Sequence, residues 1–281
     1  MYKIAEKKIL NSTTVQMDIT APMIAKKAKP GQFIIFRIDD NSERVPLTIA
    51  GTDAVRGTVK IIFQMVGKST TQLGKMNAGE SILDFVGPLG EASHLDGFSR
   101  VAVVGGGLGC AIAYPQAKYL HDVRTKVDII AGFRSRDIVI LEEEMKACSD
   151  TFKLMTDDGS AGEKGLVTNG LKELIEAGAK YDLVIAIGPP IMMKFVCALT
   201  KEYGIKTIVS MNPIMIDGTG MCGCCRVTVG GKMKFACIDG PDFDGHEVDF
   251  DELMRRNRMY ISQEREADCN LLAKADGAAK G

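Results

Sequence analysis

Half of the chain's cysteines lie in one glycine-rich stretch, and this stretch constrains the fold more than any other feature. Four of the eight cysteines fall between Cys222 and Cys237, within and shortly after the sequence DGTGMCGCC at 217–225. Glycine weakens the interiors of helices and strands because it is conformationally permissive, so these residues favour a loop. A loop that gathers thiols in a chain without an export signal indicates reduced or metal-ligating cysteines rather than disulfides.

The spacing of the donors points to an iron–sulfur cluster. Written as ligands, the stretch reads Asp217-x4-Cys222-x2-Cys225-x11-Cys237. Plant-type [2Fe–2S] proteins use Cys-x4-Cys-x2-Cys and a distant fourth cysteine, so here a carboxylate, a harder donor than a thiolate, takes the first position. Cys224 is the alternative fourth ligand if Asp217 is not one. A structural zinc site in a binding module is the alternative outside redox chemistry, although the chain has a single Cys-x2-Cys pair here.

Composition places the rest of the chain among globular proteins. A length of 281 residues predicts two domains with a small appendage. The formal charge of −1 and the pI near 6.3 give no basic footprint for nucleic acid. No run approaches about 20 apolar residues, and the N-terminus has no apolar signal core. We therefore expect a cytoplasmic protein with neither a nucleic-acid nor a membrane partner.

Three regions differ in hydrophobic pattern, and together they predict a multidomain β plus α/β fold. Residues 1–97 read as short strands with frequent turn signals, which is typical of an antiparallel barrel or sandwich. Residues 98–212 alternate apolar runs with helices, which indicates a parallel sheet covered on both faces. Residues 213–281 hold the cysteine loop and a helical tail with a frayed end at 275–281. Helices are predicted near 69–76, 109–123, 141–148, 191–203 and 248–260.

A glycine-rich turn opens the α/β region. The apolar run 101–104 leads directly into Gly105, Gly106, Gly107, Leu108 and Gly109, and N–H groups at the start of the following helix would face a pyrophosphate. The strict G-x-G-x-x-G pattern is not met, and the acidic residue expected about twenty positions later is missing. The turn therefore predicts a nucleotide site that differs from that of standard dehydrogenases.

Two later segments follow apolar runs at the carboxyl edge of the predicted sheet, where ligands bind in open α/β folds. The first contains Asp157 and Asp158, and the second contains Gly188 and Pro189. Taken alone, each segment is equally consistent with a plain loop.

In the first region, Arg44 and Thr48 place a cation and a hydroxyl group on one predicted strand. This pairing suits an anion beside a heteroaromatic ring. Residues 66–71 (VGKSTT) then supply N–H groups and hydroxyls at a predicted helix start, a second place for an anion. A surface charge and an N-cap are the alternatives. The candidate residues in these two places are Arg44, Pro46, Leu47, Thr48, Gly67, Ser69 and Thr70.

The order of these motifs resembles that of a known superfamily. R-x-P-L-T and V-G-K-S-T come first, followed by G-G-G-x-G, then G-P-x-x-M, then the cluster loop. This order resembles the ferredoxin–NADP reductase-like superfamily, and within it the electron-transfer subunits related to that of dihydroorotate dehydrogenase B. The order also resembles that of the small subunits of NADH-dependent ferredoxin:NADP oxidoreductase, and sulfide dehydrogenase subunits are similar as well. Asp217 is the most discriminating position, because the dihydroorotate-type relatives carry cysteine there.

The resemblance implies an FAD-binding barrel over 1–97, an NAD(P)-binding domain over 98–212 and a [2Fe–2S] part over 213–281. It implies that Arg44 lies near the FAD diphosphate and Thr48 near the flavin edge. Arg134 and Arg136 leave NADP(H) open as an alternative to NAD(H). The other implied contacts are Gly67, Ser69 and Thr70 with the FAD phosphates, Gly105, Gly106, Gly107 and Gly109 with the NAD pyrophosphate, and Asp157, Asp158, Gly188 and Pro189 with the nicotinamide or ribose.

By the same resemblance, the chain is an oxidoreductase subunit that passes electrons between NAD(H), FAD and the [2Fe–2S] cluster. The implied context is electron bifurcation in a heterodimer with a larger flavin and [4Fe–4S] subunit, and ferredoxin is an indirect partner. The alternatives are the electron-transfer subunits of dihydroorotate dehydrogenase and sulfide dehydrogenase. No acid–base residue is predicted, because the three histidines form no suitable arrangement.

Overall fold

The first part of the molecule is an antiparallel barrel. The computed structural model of this protein describes residues 1–278. The barrel strands follow the order β6-β1-β2-β5-β4-β3-β7, and their inward residues form one apolar core that also takes up Leu73 from a capping helix. The barrel interpretation of this region is therefore confirmed. Its elements are β1 (Tyr2–Ile9), β2 (Thr14–Thr20), α1 (Pro22–Ala25), β3 (Phe33–Arg37), β4 (Val45–Asp53), β5 (Thr58–Gln64), α2 (Lys68–Lys75), β6 (Ser81–Ile82) and β7 (Asp84–Leu89).

The second part is a parallel sheet with apolar cores on both faces. Val101 and Val103 of its central strand contribute to one core, whereas Ala102 and Val104 contribute to the other. This arrangement explains why the strand reads as a continuous apolar run. Its elements are β8 (Arg100–Gly106), α3 (Gly109–Asp122), β9 (Lys126–Phe133), α4 (Glu142–Ala147), β10 (Thr151–Thr156), β11 (Glu163–Lys164), α5 (Val167–Glu176), β12 (Leu183–Ile187), α6 (Pro190–Glu202) and β13 (Thr207–Ser210).

The third part is the C-terminal subdomain with the cysteine loop, and its strand β16 joins it to the edge of this sheet. Its elements are β14 (Arg226–Val229), β15 (Lys232–Phe235), β16 (Asp242–Asp244), α7 (Phe250–Arg256) and α8 (Ile261–Ala278). Strands β14 and β15 pair as a hairpin, while β16 pairs antiparallel with β13. The sheet order is therefore β11-β10-β9-β8-β12-β13-β16, and the cysteine loop is held at both ends by neighbouring strands.

The C-terminal helices differ from the sequence prediction. The helix predicted over 248–260 is α7, which ends at Arg256, and a second helix of the predicted helical tail, α8, follows it. A frayed end is predicted over 275–281, whereas α8 continues to Ala278; residues 279–281 lie outside the described part. Within residues 1–278, no helix combines the length and the apolar character needed to cross a membrane.

Candidate functional site: the cysteine loop and two predicted nucleotide sites

The four predicted cluster ligands lie in two pairs. The Cys222 thiol contacts Asp217 Oδ1 at 3.2 Å, and the Cys225 and Cys237 sulfurs are 3.2 Å apart. Cys222 is exposed, whereas Cys225 and Cys237 are each 1% exposed. All four belong to one loop system, in which the first pair lies at the surface and the second pair lies inside.

The Asp217 carboxylate is held by the loop's own main chain. Its Oδ2 accepts hydrogen bonds from the amides of Met221 at 2.9 Å and Cys222 at 3.1 Å, and its Oδ1 accepts one from Thr219 at 3.3 Å. Burial acts to raise the pKa of Asp217, but the hydrogen bonds from Cys222, Thr219 and Met221 lower it to about 2. Asp217 is therefore ionised at neutral pH, and its carboxylate oxygens suit a metal ligand.

Glycines give the loop a shape that other residues would not adopt. Gly218, Gly220 and Gly223 all have positive φ angles, which L side chains rarely adopt. A Cβ on Gly218 would lie 2.6 Å from Ile35 of β3, and one on Gly220 would lie 2.9 Å from Ile238. The loop consequently packs against the barrel.

The donor set fits a two-iron cluster. Such a cluster takes four protein ligands, and the loop offers two candidate ligands in each of its two pairs. In the described residues 1–278, no three His, Cys, Asp or Glu side chains converge on a position for a single metal ion. The Cys224 thiol belongs to neither pair and points towards the Cys222 carbonyl at 4.0 Å. Burial raises the pKa of the Cys237 thiol to about 12, so as a predicted cluster ligand it would lose its proton on binding the metal.

The glycine turn after β8 meets the turn after β12. A Cβ on Gly106 would lie 2.3 Å from the Met192 sulfur, and one on Gly188 would lie 3.1 Å from the Gly106 Cα. A Cβ on Gly109 would lie 2.2 Å from the Ile187 carbonyl oxygen, so α3 can start here only with glycine. From β8 the chain continues to β9 on one side, and β12 lies on the other. The two turns therefore meet at the switch point of the sheet, where ligands bind in this fold class.

The predicted segment with Asp157 and Asp158 follows β10 and lies at the same carboxyl edge, next to the loop after β9. The amide of Asp158 donates to the Arg134 carbonyl at 3.3 Å, and the amide of Arg136 donates to Ser160 Oγ at 2.8 Å. Arg134, Asp157 and Asp158 are all exposed. The loops after β9 and β10 thus form one polar rim beside the glycine turns.

The predicted barrel residues lie at the start of β4 and at the start of α2. Thr70 Oγ1 accepts from the amides of Val66 and Gly67 at 3.1 and 3.3 Å, and Ser69 Oγ donates to Glu43 Oε2 at 2.6 Å. The Ser69 contact brings the two predicted places together. Sequence reasoning missed Glu43, because nothing in its sequence surroundings indicates that it contacts α2.

Arg44 connects the barrel to the cysteine loop. Its Nε donates to the Ile216 carbonyl at 2.9 Å, and its Nη2 donates to the Asp217 carbonyl at 3.5 Å. These residues are 172 and 173 positions apart, so no sequence spacing could have indicated the contact. The residue predicted to lie near a flavin diphosphate therefore also touches a predicted cluster ligand.

A cavity of about 460 Å³ lies elsewhere, between the barrel and α3. Asp18, Lys60, Tyr114 and Lys118 are among the residues that line it. None of the site residues predicted from the sequence, all of which lie in the described part of the chain, borders this cavity. It therefore forms no part of the candidate site.

Comparison with known proteins agrees with this architecture. Residues 212–249 match the iron-sulfur cluster binding domain of dihydroorotate dehydrogenase B. The chain is 47% identical to a dihydroorotate dehydrogenase B electron transfer subunit homolog of Thermotoga maritima, over 88% of this chain and 87% of that protein. It is 31% identical to the dihydroorotate dehydrogenase B electron transfer subunit of Bacillus caldolyticus, over 87% of this chain and 96% of that protein.

A solved structure is similar over nearly the whole molecule. It was determined in a study of flavin-based electron bifurcation by an NADH-dependent reduced ferredoxin-NADP oxidoreductase. The TM-score is 0.92 and the sequence identity is 41%, with 97% of this chain and 98% of that chain covered. The similarity thus extends over all three parts of the fold.

Proposed function

This chain belongs to the family of dihydroorotate dehydrogenase B electron transfer subunits and their homologues, and we propose that it passes electrons between NAD(H), FAD and a [2Fe–2S] cluster. The observation that carries this proposal is the arrangement of the cysteine loop. Two donor pairs lie in a loop that packs on the barrel and is bonded to Arg44. A thiol-rich centre beside a nucleotide-binding barrel is suited to electron transfer.

The cluster ligands are proposed to divide between the two irons as the structure pairs them. Asp217 and Cys222 hold the outer iron, and Cys225 and Cys237 hold the inner one. The division is supported by the two 3.2 Å contacts and by the difference in exposure between the pairs. Cys224 lies outside the ligand set.

FAD is proposed to bind along the start of β4 and the N-terminus of α2. A diphosphate there is attracted by Arg44 and by the free N–H groups of the first helical turn. The Ser69 hydroxyl donates to Glu43 Oε2 at 2.6 Å, so this hydrogen bond must break if Ser69 is to donate to a phosphate. Pro46, Leu47 and Thr48 lie along the first part of β4 and are proposed to border the flavin ring. A bound flavin supplies the exchange between a hydride and single electrons.

NAD(H) is proposed to bind where the turns after β8 and β12 meet. Gly107 has a positive φ angle, and nothing lies within 4 Å of the place where its Cβ would be, so the turn offers its main chain to a pyrophosphate at this residue. Exposed Arg134 on the neighbouring rim is placed to attract a 2′-phosphate, so NADP(H) remains the alternative nucleotide. Hydride transfer itself needs no proton donor from the chain, and this part of the chain is proposed only to bind and orient the nucleotide.

Membership of this family makes the chain a subunit of a larger redox assembly. We propose that it forms a heterodimer with a larger subunit that carries flavin and [4Fe–4S] clusters, and that ferredoxin is an indirect partner. The proposal is supported by exposed apolar side chains around the cysteine loop. Met221 is 89% exposed, and Ile216 and Ile238 are 47% and 49% exposed. A dihydroorotate- or sulfide-oxidising partner is the alternative assembly.

Metal, sulfide and flavin analysis of the anaerobically purified chain tests the proposal. We expect iron and labile sulfide in equal amounts, bound FAD, and loss of flavin absorbance on addition of NADH. Bound zinc without labile sulfide would instead support a binding module. Flavin that NADH does not bleach would overturn the assignment of the nucleotide site. The protein that co-purifies with the chain identifies the partner.

A further inference from the structure

Three arginines donate hydrogen bonds to main-chain carbonyls of the cysteine loop. Arg226 Nη1 donates to Gly223 at 3.1 Å, and Arg256 Nη2 donates to Cys224 at 3.2 Å. Both of these belong to the same C-terminal part as the loop. Arg44 differs, because it reaches Ile216 and Asp217 from the barrel.

The main chain at Arg44 is fixed on the barrel side. The next residue, Val45, begins β4 and pairs with Phe36 of β3. The preceding residue, Glu43, is bonded to Ser69 of α2. Two consecutive residues therefore touch the proposed phosphate site and the cysteine loop, so a shift of either site is transmitted over a very short length of chain.

The guanidinium of Arg44 has more N–H donors than the cysteine loop uses, so it can also bind an anion. Arginine carries five N–H donors in a rigid plane, and the loop carbonyls engage Nε and Nη2. Within the described residues, Nη1 makes no hydrogen bond of its own. The same side chain can hold the loop and attract a phosphate at once, which a flexible ammonium group would do less well.

We propose that Arg44 is a positioning residue that ties the cluster loop to the flavin barrel, so that flavin binding and the position of the Asp217 segment are coupled. The coupling is reciprocal, since two sites that share one element each bias the other. The inference rests on the proposed function for its flavin and cluster. The contact between Arg44 and the loop is independent of both cofactors.

The test compares Arg44→Met, Arg44→Lys and the matched control Arg226→Met in the full chain. The first measurement is hydrogen exchange of the loop amides without cofactors. Arg44→Met is expected to speed exchange around residues 216–219 by about tenfold, because hydrogen bonds from a charged donor are lost. Arg226→Met is expected to leave this segment at the native rate.

The second measurement uses the reconstituted holoprotein and follows the flavin-to-protein ratio, the cluster's EPR spectrum and its reduction potential. Arg44→Met is expected to lose flavin, alter the EPR spectrum and make the potential more negative, because a cation beside the cluster is removed. Arg44→Lys keeps the charge and is expected to hold the potential near the native value. Arg226→Met is expected to retain native flavin content.

Native loop exchange in Arg44→Met would overturn the proposal, as would a native EPR spectrum and potential in a variant that has lost only flavin. Equal flavin loss in Arg226→Met would also overturn it, because the effect would then belong to the loop in general. If Arg44→Met does not fold, Arg44→Gln replaces it. A native chain that binds neither cluster nor flavin refutes the proposed function, whereas the exchange measurement still decides the role of Arg44.

Discussion

The sulfur atoms of Cys225 and Cys237 lie 3.2 Å apart inside the protein. Each residue is 1% exposed, and both are free thiols. The hairpin of β14 and β15 separates them in the chain and brings them together in space, since Ala236 donates its amide to the Cys225 carbonyl at 3.1 Å. The hairpin therefore holds the two inner thiols next to each other.

Replacement of Cys225 is expected to abolish the cluster, whereas replacement of the adjacent Cys224 is not. Cys225→Ser removes a thiolate donor from a buried pair, so we expect labile sulfide and iron to fall to background. Cys224→Ser, the matched control, is expected to keep both at native levels. The measurement is colorimetric iron and sulfide analysis with EPR of the reduced protein. Equal losses in the two variants would show that Cys224 is a ligand.

An aspartate-to-cysteine change is expected to keep the cluster but alter it. Asp217→Cys replaces a hard oxygen donor with a soft sulfur donor, which changes the electron density at the outer iron. We expect native iron content with a changed EPR spectrum and reduction potential. Asp239→Asn, a nearby carboxylate that accepts from the Phe235 amide at 2.7 Å, is the control. An unchanged spectrum in Asp217→Cys would remove Asp217 from the ligand set.

The buried ion pair at the opposite edge of the sheet is expected to serve stability alone. Asp128 is fully buried, and its Oδ2 accepts from Arg100 Nη2 at 2.6 Å and from the Tyr181 hydroxyl at 2.8 Å. Asp128→Ala leaves these donors without their acceptor, so we expect a loss of about 3 kcal/mol in the free energy of unfolding.

Urea unfolding of the purified chain measures this loss. The exposed pair of Lys118 and Asp122 provides the control, since Asp122→Ala is expected to cost about 0.5 kcal/mol or less. Nucleotide affinity is expected to stay native in Asp128→Ala, because the predicted nucleotide turns lie at the carboxyl edge. A change in affinity as large as the change in stability would argue against this separation.

The pH dependence of stability is expected to depend in part on Asp242. Burial raises the pKa of this carboxyl above 3.8, although hydrogen bonds from Ser93, Ser210 and Gln116 and the charge of His94 oppose the shift. The folded chain then keeps a proton that the unfolded chain has released. Stability contributed by this group is therefore lost as the pH rises from about 3.8 through the raised folded value.

Asp242→Asn removes this titration, so its free energy of unfolding relative to the native chain is expected to increase with pH over that window. Urea unfolding at several pH values above about 4 measures the difference. The control is Asp40→Asn, because the Asp40 side chain is 88% exposed. Parallel stability curves for the native chain and Asp242→Asn would contradict the expectation.

The fold class was predictable because its signals are local. The apolar run at Val101–Val104 and the glycine turn after it specify a buried strand and a tight start for α3, and both are present. Strand β16 was not predictable, because its sequence of Asp242, Phe243 and Asp244 offers a single apolar residue. The bounds of α8 within the predicted helical tail were not predictable, because its residues show no apolar stripe along one face.

The candidate site also has features that the sequence indicates and contacts that only the structure shows. The spacing of Asp217, Cys222 and Cys225 marks the loop because ligand spacing is a short-range property. The contacts of Arg44 with Ile216 and of Glu43 with Ser69 depend on how distant parts of the chain pack, and residue spacing carries no information about them. Sequence therefore indicates which chemistry the loop offers, and the structure indicates what holds the loop in place.

The pairing of β16 with β13 has a consequence for biosynthesis. Translation proceeds from the N-terminus, so Cys237 leaves the ribosome before Asp242, the first residue of the strand that completes the sheet edge. A nascent chain consequently presents every proposed ligand while the loop is still open at one end. A chain truncated before Asp242 would carry all four donors without the strand that pairs with β13.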